Sequence, residues 1–318
     1  MEGVVDWVMR DTLTRLGGID QCTTEFIRVT RYLHSEIVFH KFCPELRMGS
    51  RTRAGTPVFV QLLGGHPEPL AMNAVRAAEL GAAGVDLNFG CPAKTVNRHD
   101  GGASLLKCPD RVLNIVKAVR EAVPSKVPVT VKIRLGFDDP SACFENALAA
   151  QEGGAQRLTV HCRTKTDGYR PPAHWEWMPR LREKTTIPLV ANGEIWTLED
   201  FRRCKEVTGC DQFMIGRGAL TNPALFRRIK DTSAAPETPA QTWQESRQLL
   251  PGFFAACEER INGHFATSRT KQWLKALSLR HEGARDVFQK IKTHRRPDEF
   301  RSALESELSR FNTEEYHG

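Results

Sequence analysis

The chain has 318 residues, a formal net charge of +7, a pI near 9.0 and a hydrophobic content of 40%. These values are typical of a soluble globular protein with one or two domains, and they exclude a small disulfide scaffold or a disordered, highly charged chain. No apolar run approaches the ~20 residues that a membrane-spanning helix needs, and no basic-then-apolar leader opens the chain, so we expect no membrane association.

The cysteines indicate the cellular compartment of the protein, and the excess of basic residues indicates the kind of partner that it binds. The nine cysteines form no Cys-x-x-Cys pair and their number is odd, which argues against a disulfide framework or a zinc ribbon. We therefore expect a reduced, cytoplasmic protein without a bound metal. The positive net charge favours a polyanionic partner such as a nucleic acid.

Short apolar strands alternate with amphipathic helices through residues 22–230. Three times a helix ends in a glycine and a small residue before the next strand, as expected for glycine at the helix C′ position: Gly81-Ala82, Gly154-Ala155 and Gly209-Cys210. This repeat predicts a parallel sheet with helices packed outside it. The predicted strands cover residues 22–29, 57–63, 84–88, 128–134, 158–161, 188–191 and 212–215, and the predicted helices cover 69–80, 110–122, 141–152, 177–184, 197–206 and 219–230.

Polar groups stand at the carboxyl ends of six successive predicted strands. They are Gln61, Asn88, Lys132, His161, Asn192 and the Gly216-Arg217 pair. Because a closed barrel gathers all its strand ends around one mouth, this pattern favours a TIM (β/α)8 barrel over an open, doubly wound sheet. Seven strands are recognised where the barrel needs eight, so we expect its first strand to be missing from this chain.

A small, proline-containing segment at residues 232–240 predicts a linker. It separates a catalytic barrel domain at residues 1–231 from a helical domain at residues 241–318, with helices expected over 242–261, 266–280, 285–292 and 298–311. Ten basic residues and only two acidic ones lie between residues 260 and 296. A charge run is usually a solvated helix face, but beside such a barrel we interpret this one as a surface for RNA phosphates.

Cys91 is the candidate catalytic residue. It lies between Gly90, which permits a sharp turn, and Pro92, which fixes the backbone just after the thiol. The carboxyl end of a strand is where the chemistry of α/β proteins collects. The alternative is an inert thiol buried in a tight turn, since free cysteine is usually a core residue.

The last two strands predict a phosphate site. Gly216-Arg217-Gly218 opens a helix after the final strand, and Asn192-Gly193-Glu194 follows the strand before it. Together they occupy the usual phosphate corner of this barrel and indicate a phosphorylated cofactor such as flavin mononucleotide (FMN).

Lys132 and Gln61 fit the same cofactor. A lysine inside a β-branched run is costly to bury unless it meets negative charge, and a reduced flavin is anionic around N1 and the C2 carbonyl. The amide of Gln61 can donate and accept at a flavin edge. Two alternatives stay open: Lys132 could reach solvent from a frayed strand end, and His161 could be a satisfied core histidine.

Several motifs together make the chain similar to the tRNA-dihydrouridine synthase family, in the order in which that family has them. Smaller details resemble its class C bacterial branch, which reduces the uridine at position 16 of the D-loop. The motifs are Asn88-x-Gly90-Cys91-Pro92, Gly101-Gly102, Val131-Lys132-x-Arg134, His161-x-Arg163-Thr164, Asn192-Gly193-Glu194 and Gly216-Arg217-Gly218.

This resemblance implies a flavin barrel followed by a helical tRNA-binding domain. We expect the protein to be a monomer. It implies that NADPH reduces FMN, that a hydride passes from the flavin to C6 of uracil, and that Cys91 protonates C5. An unperturbed thiol has a pKa of about 8.5 and so carries its proton at neutral pH. The residues implied to bind FMN are Met1, Glu2, Gln61, Lys132, His161, Asn192, Gly193, Glu194, Gly216 and Arg217, and those expected to hold the uracil or the tRNA are Arg28, Asn88, Lys94, Arg163, Tyr169, Arg269 and Lys271.

Two other functions are compatible with parts of the sequence. A flavin barrel acting on a free pyrimidine, as dihydroorotate dehydrogenases do, would not need the basic helical domain. A non-catalytic RNA-binding protein that has kept the barrel would remain colourless when FMN is added.

Overall fold

The computed structural model describes residues 3–313, so the predicted flavin contacts of Met1 and Glu2 lie outside the described residues. The chain forms two compact units. The first contains Ile19–Ile195 and Asp200–Gly216, and the second contains Val8–Gly18, Trp196–Glu199 and the chain from Arg217 onward. This division differs from the boundary predicted at residue 231. The prediction that residues 1–231 and 241–318 are separate domains stays a prediction.

The first unit is built on a parallel sheet of eight strands in the order β1-β3-β4-β5-β6-β7-β8, with β2 also paired to β3. Within residues 3–313 no strand pairing joins β8 back to β1. The predicted strand at residues 22–29 is interrupted at residues 24–26 and therefore appears as two short strands along the same neighbour. The strands are β1 Cys22–Thr23, β2 Ile27–Arg28, β3 Val58–Leu63, β4 Val85–Asn88, β5 Val129–Gly136, β6 Leu158–Thr164, β7 Leu189–Asn192 and β8 Gln212–Met214.

Helices follow nearly every strand, as the alternating pattern predicted. Short 3-10 helices also occur at Pro44–Met48 and Gly102–Lys107. The α-helices are α1 Trp7–Thr14, α2 Glu36–Phe42, α3 Pro67–Glu79, α4 Lys94–Asn97, α5 Pro109–Ala122, α6 Cys143–Glu152, α7 Trp177–Lys184, α8 Leu198–Thr208, α9 Arg217–Thr221, α10 Leu225–Lys230, α11 Pro239–Arg260, α12 Gly263–Leu277, α13 Glu282–Ile291 and α14 Pro297–Thr313.

Two predicted boundaries need correction. The single helix expected over residues 219–230 is broken into α9 and α10 at Asn222-Pro223, because proline lacks an N–H and disfavours helical backbone at the residue before it. The linker expected over 232–240 loses its last two residues to α11. There the Thr238 hydroxyl accepts from the Gln241 N–H while the Gln241 side chain accepts from the Thr238 N–H, which forms a capping box.

The core of the first unit follows from side-chain period. On α5 the buried residues Val112, Ile115, Val116 and Val119 recur at helical spacing and form one apolar stripe. The parallel strand β5 is buried along its length except at Lys132, which is half-buried. A parallel sheet covered by helices excludes water from its strands, so a polar group on β5 is an exception that requires a local partner.

The second unit is helical. Its core includes Phe253 of α11 and Trp273 of α12, whose ring centroids lie 4.8 Å apart, and the Trp273 indole donates to the Leu220 carbonyl of α9. These contacts place α9 with the helices that follow it. None of the helices in residues 3–313 has the length and hydropathy required to cross a membrane.

Candidate active site

Side chains of the neighbouring strands β3, β4 and β5 are joined by a chain of hydrogen bonds around a buried carboxylate. Gln61 lies inside β3, and Lys132 and His161 lie inside β5 and β6, so the prediction that these three residues end their strands is wrong. Asp86 Oδ2 accepts from Gln61 Nε2 at 2.7 Å, and its Oδ1 accepts from the Thr130 hydroxyl at 2.5 Å. Gln61 Oε1 in turn accepts from Asn88 Nδ2 at 2.9 Å. Burial raises the pKa of Asp86 above its usual range, although both hydrogen bonds oppose that shift. The network fixes the amide orientations of Gln61 and Asn88.

Lys132 lies beside Asn88 in the β4–β5 register and is half-buried. Its ammonium donates to Asn192 Oδ1 at 2.9 Å, and the Asn192 amide donates to the Met214 carbonyl at 2.7 Å. Burial, together with the nearby Arg134 cation, lowers the pKa of Lys132 to about 8, while Asp86 acts in the opposite direction. Burial and the Arg134 cation therefore disfavour the charged form of Lys132, whose acceptor is only a neutral amide. An anionic group bound beside the ammonium would stabilise its charge.

The Asn192-Gly193-Glu194 turn is held from two sides. Gly193 has φ of +120° and Glu194 has φ of +58°, both in the left-handed region. A Cβ on Gly193 would lie 3.0 Å from the His161 ring, so the turn needs glycine for space as well as for backbone conformation. The Trp175 indole donates to the Gly193 carbonyl at 2.9 Å. The other support is an ion pair between Glu194 and Arg163.

Arg163 is fully buried on β6 and supports neighbouring residues of the site. Besides Glu194, its guanidinium bonds the Arg170 carbonyl at 2.6 Å and His161 Nε2 at 3.3 Å. Because arginine can only donate, His161 Nε2 accepts and its proton resides on Nδ1. Arg163 therefore fixes the tautomer of His161 and the position of Glu194, and its expected contact with the uracil remains a prediction.

Cys91 is a half-buried, free thiol on the loop after β4. The two peptide groups beside it are both held. The Gly90 carbonyl accepts from Arg134 Nε at 2.8 Å, and the Cys91 carbonyl accepts from Asn97 Nδ2 at 3.0 Å. Gly90 has no positive φ, so the expected sharp turn does not depend on a left-handed backbone there; a Cβ would make a tight contact of 3.3 Å with the Ile133 backbone. The thiol is thus half-buried in a braced turn, where Cys91 packs against the apolar cluster of Phe26, Leu63 and Val96.

The other residues expected to touch the nucleotide lie on neighbouring loops of the first unit. Arg28 Nη2 donates to the Thr95 carbonyl at 3.4 Å, which brings it to the turn that contains Lys94, itself exposed. Tyr169 is 53% exposed and its ring centroid lies 6.1 Å from that of His161. These placements are compatible with a nucleotide at the mouth, and the individual contacts remain predictions.

Three expected site residues lie in the second unit. The Arg217 guanidinium stacks over Trp196 at 4.9 Å, whereas Gly216 belongs to the first unit, so the predicted phosphate corner remains a prediction. Arg269 is only 7% exposed and lies 6.0 Å from the centroid of the Phe253 ring. Lys271 donates to the His294 carbonyl. Arg269 and Lys271 thus take part in helix packing, and their predicted contacts with tRNA remain untested.

Asp86, Arg134 and Asn97 were not identified as site residues from the sequence. Asp86 carried a readable signal, because a carboxylate inside an apolar strand is as costly to bury as Lys132. Arg134 is likewise a charged residue within the apolar strand β5, and its burial is costly for the same reason. Asn97 carried none, since its amide reaches Cys91 only through the local turn.

The residues at the mouth fit a flavin. Lys132 offers a cation whose hydrogen-bond acceptor is a neutral amide, in surroundings that an anionic group would make more favourable. His161 has a fixed tautomer, and Gln61 and Asn88 have fixed amides. Within residues 3–313 no group of three or more His, Cys, Asp or Glu residues could hold a metal ion.

Comparison with known proteins shows the family to which this chain belongs. A family model described as dihydrouridine synthase (Dus) matches residues 1–311. The chain is 49% identical over 292 residues to the tRNA-dihydrouridine(16) synthase of Aquipseudomonas alcaligenes, covering 92% of this chain and 93% of the relative. It is 47% identical over 312 residues to the enzyme of that name from Shewanella oneidensis, covering 98% of each.

Solved structures support the fold alone. An old yellow enzyme homologue from Zymomonas mobilis is 14% identical with a TM-score of 0.51, over 76% of this chain and 87% of that one. A 2-naphthoyl-CoA reductase complex is 11% identical with a TM-score of 0.55, over 72% of this chain and 47% of that one. The predicted TIM-barrel class is confirmed. The chain belongs to the dihydrouridine synthase family of flavin-dependent oxidoreductases.

Proposed function

We propose that this chain reduces the C5=C6 bond of a uridine in tRNA, at position 16 of the D-loop, using FMN as its flavin and NADPH as reductant. The observation that carries the proposal is the placement of Cys91. Its thiol follows Asn88 on a braced loop. Asn88 bonds Gln61 of β3 and is the register partner of Lys132, which bonds Asn192. The names of the relatives support tRNA as substrate and position 16 as the target.

When bound, the flavin supplies the hydride that adds to C6 of the uracil. Cys91 then gives its proton to C5, and the electron pair of the S–H bond stays on sulfur. Asn88 has one amide hydrogen beyond the one that it donates to Gln61, so it can also donate to a uracil oxygen. Lys132 and the Asn192-Gly193-Glu194 turn would hold the flavin, with His161 beside them.

The target uridine must leave the base stack to reach this site, at a cost of about a few kcal/mol. Contacts between cations and phosphates can offset that cost. Between residues 260 and 296 the helical unit offers six exposed cations for this purpose, apart from Lys290, which is paired with Glu307. They are Lys275, Arg280, Arg285, Lys292, Arg295 and Arg296.

The decisive variant is Cys91→Ala, with Cys108→Ala as the matched control because Cys108 is another half-buried, free thiol. The Cys91 variant should retain FMN and its bleaching by NADPH, yet form at least ~100-fold less dihydrouridine, the range that general acids contribute. Nucleotide-resolved mass spectrometry of tRNA measures both the amount and the position. Normal product from Cys91→Ala would remove Cys91 from the mechanism, and product elsewhere than position 16 would correct the target.

We also propose that the protein acts as a monomer in the cytoplasm. The nine free thiols support a reducing compartment. Light scattering of the flavin-loaded protein, alone and with tRNA, tests the monomer: a mass near twice 35.8 kDa for the protein alone would contradict it.

A further inference from the structure

Arg134 is a buried cation that joins two loops of the barrel mouth. It lies two residues after Lys132 on β5, so both side chains extend from the same face of the strand. Only 1% of Arg134 is exposed. Its Nε donates to the Gly90 carbonyl, and its Nη1 donates to the carbonyls of Thr164 and Gly168, each at 2.8 Å.

The first of these contacts acts on the proposed acid. The Gly90 carbonyl belongs to the peptide group that enters Cys91, and the carbonyl that leaves Cys91 is held by Asn97 and by the Ala103 N–H. The backbone on both sides of Cys91 is therefore restrained as long as all three hydrogen-bond donors are present. Of the three, Arg134 alone comes from another strand of the sheet.

The second and third contacts act on the loop after β6. Thr164 and Gly168 bracket the segment that leads to Tyr169, whose ring centroid lies 5.3 Å from the Arg134 guanidinium carbon. One planar side chain thus fixes the loop of the acid against the loop of an aromatic residue expected to touch the nucleotide. A guanidinium suits this task because its donors form a rigid fork.

The charge of Arg134 also matters for the thiol. The ionisable groups that face it are Lys132 on its own strand, Cys91 on the loop after β4, and Asp167 and Tyr169 on the loop after β6. Burial lowers the pKa of Arg134, while Tyr169, Cys91 and Asp167 raise it. Such coupling is reciprocal: if an ionised Cys91 favours the charged guanidinium, the guanidinium favours the ionised Cys91 by the same amount.

We propose that Arg134 is a positioning residue that holds the Cys91 loop against the Tyr169 loop and stabilises the thiolate left on sulfur after C5 is protonated. The S–H bond breaks, the C5–H bond forms, and the sulfur later regains a proton from water. The catalytic part rests on the proposed function, whereas the effect on the thiol does not.

The test compares Arg134→Gln, which removes the charge, with Arg134→Lys, which keeps the charge but loses the fork. Iodoacetamide reacts with the thiolate, so its rate at Cys91 is measured against pH in the flavin-loaded protein by peptide mass spectrometry, with Cys108 as internal reference. We expect Arg134→Gln to slow alkylation of Cys91 about tenfold at pH 7, equivalent to one unit of thiol pKa. The rate at Cys108 should not change.

For Arg134→Lys we expect a nearly normal alkylation profile but about tenfold lower kcat for dihydrouridine formation, with KM for tRNA unchanged. An unchanged profile in a folded, flavin-loaded Arg134→Gln protein would overturn the proposal, as would equal slowing at Cys108. If Arg134→Gln does not fold, the lysine variant decides alone, and a normal kcat there overturns the positioning role. Alkylation needs no tRNA, so a chain that fails to reduce tRNA would still give this result.

Discussion

The cations of the barrel unit and those of the helical unit are held in different ways. Lys132, Arg134 and Arg163 are partly or fully buried, and each bonds specific oxygen atoms on other strands or loops. In the helical unit, cations such as Lys275 and Arg285 are exposed. Cations held in fixed geometry suit a site where individual atoms must be positioned, whereas exposed cations suit a polyanion whose charges are spread along a backbone.

This difference predicts how each region responds to substitution. Removing a buried cation leaves its partner in a place that water cannot fully reach, so the loss is large and local. Removing an exposed cation subtracts one of several similar contacts, so the loss is small and sensitive to salt. The predictions below follow this order.

The largest effect should come from Arg163→Met. The variant leaves Glu194 without its buried partner, and we expect the free energy of unfolding to fall by about 3 kcal/mol. Urea denaturation of the apo-protein at pH 7 measures it. Adding Glu194→Gln to the variant should recover part of the loss, because the unpaired charge is then gone. Equal stability of the single and double variants would show that the ion pair does not hold this turn.

A smaller effect is expected from the titration of Lys132. Its pKa of about 8 means that the ammonium is charged at pH 7 and mostly neutral at pH 9. We therefore expect the affinity for reduced FMN to fall as pH rises through 8, by about tenfold between pH 7 and 9, since one pKa unit corresponds to a factor of ten. Anaerobic titration of the apo-protein with reduced FMN measures this fall.

Lys132→Arg provides the control, because a guanidinium stays protonated over this range. The affinity of this variant for reduced FMN should stay constant between pH 7 and 9, where that of the natural protein falls. A parallel decline in both proteins would attribute the pH dependence to the flavin itself.

The smallest effects should come from Lys275→Gln and Arg285→Gln. Each should weaken tRNA binding by about two- to fivefold at physiological salt and reduce the slope of log Kd against log salt by about 1. Filter binding at several salt concentrations measures both quantities. Lys290→Gln is the matched control, because Lys290 already lies 2.8 Å from Glu307. A slope that is unchanged in the first two variants would place the tRNA on another surface.

The sequence predicted the parallel sheet because short apolar segments alternate with amphipathic helices, three of which end in a glycine before the next strand. The polar residues expected at strand ends are less regular, since Asn88 and Asn192 end their strands whereas Gln61 lies inside β3. Lys132 was found from the cost of burying an ammonium, and the structure gives it the buried surroundings that this argument required. The same argument applies to Asp86, whose burial raises its pKa. The break at Pro223 and the capping box at Thr238 were also readable from local chemistry.

Long-range partners could not be read in this way. That Arg163 would pair with Glu194 depends on how two turns meet, and no local spacing encodes it. Arg269 belongs to the basic run at residues 260–296 that we interpret as a surface for RNA phosphates, but it is only 7% exposed and lies over Phe253. Side-chain burial in a helical bundle follows from which faces meet, and a run of charge does not reveal those faces.

The amide of Asn97 has a mechanical consequence. It bonds the carbonyls of Cys91 and Ala93 from the far end of α4, whose first residue is the exposed Lys94. Asn97 is the last residue of this four-residue helix, so its two hydrogen bonds join α4 to the backbone of the turn that carries Cys91. A shift of α4 would therefore move the backbone of that turn with it.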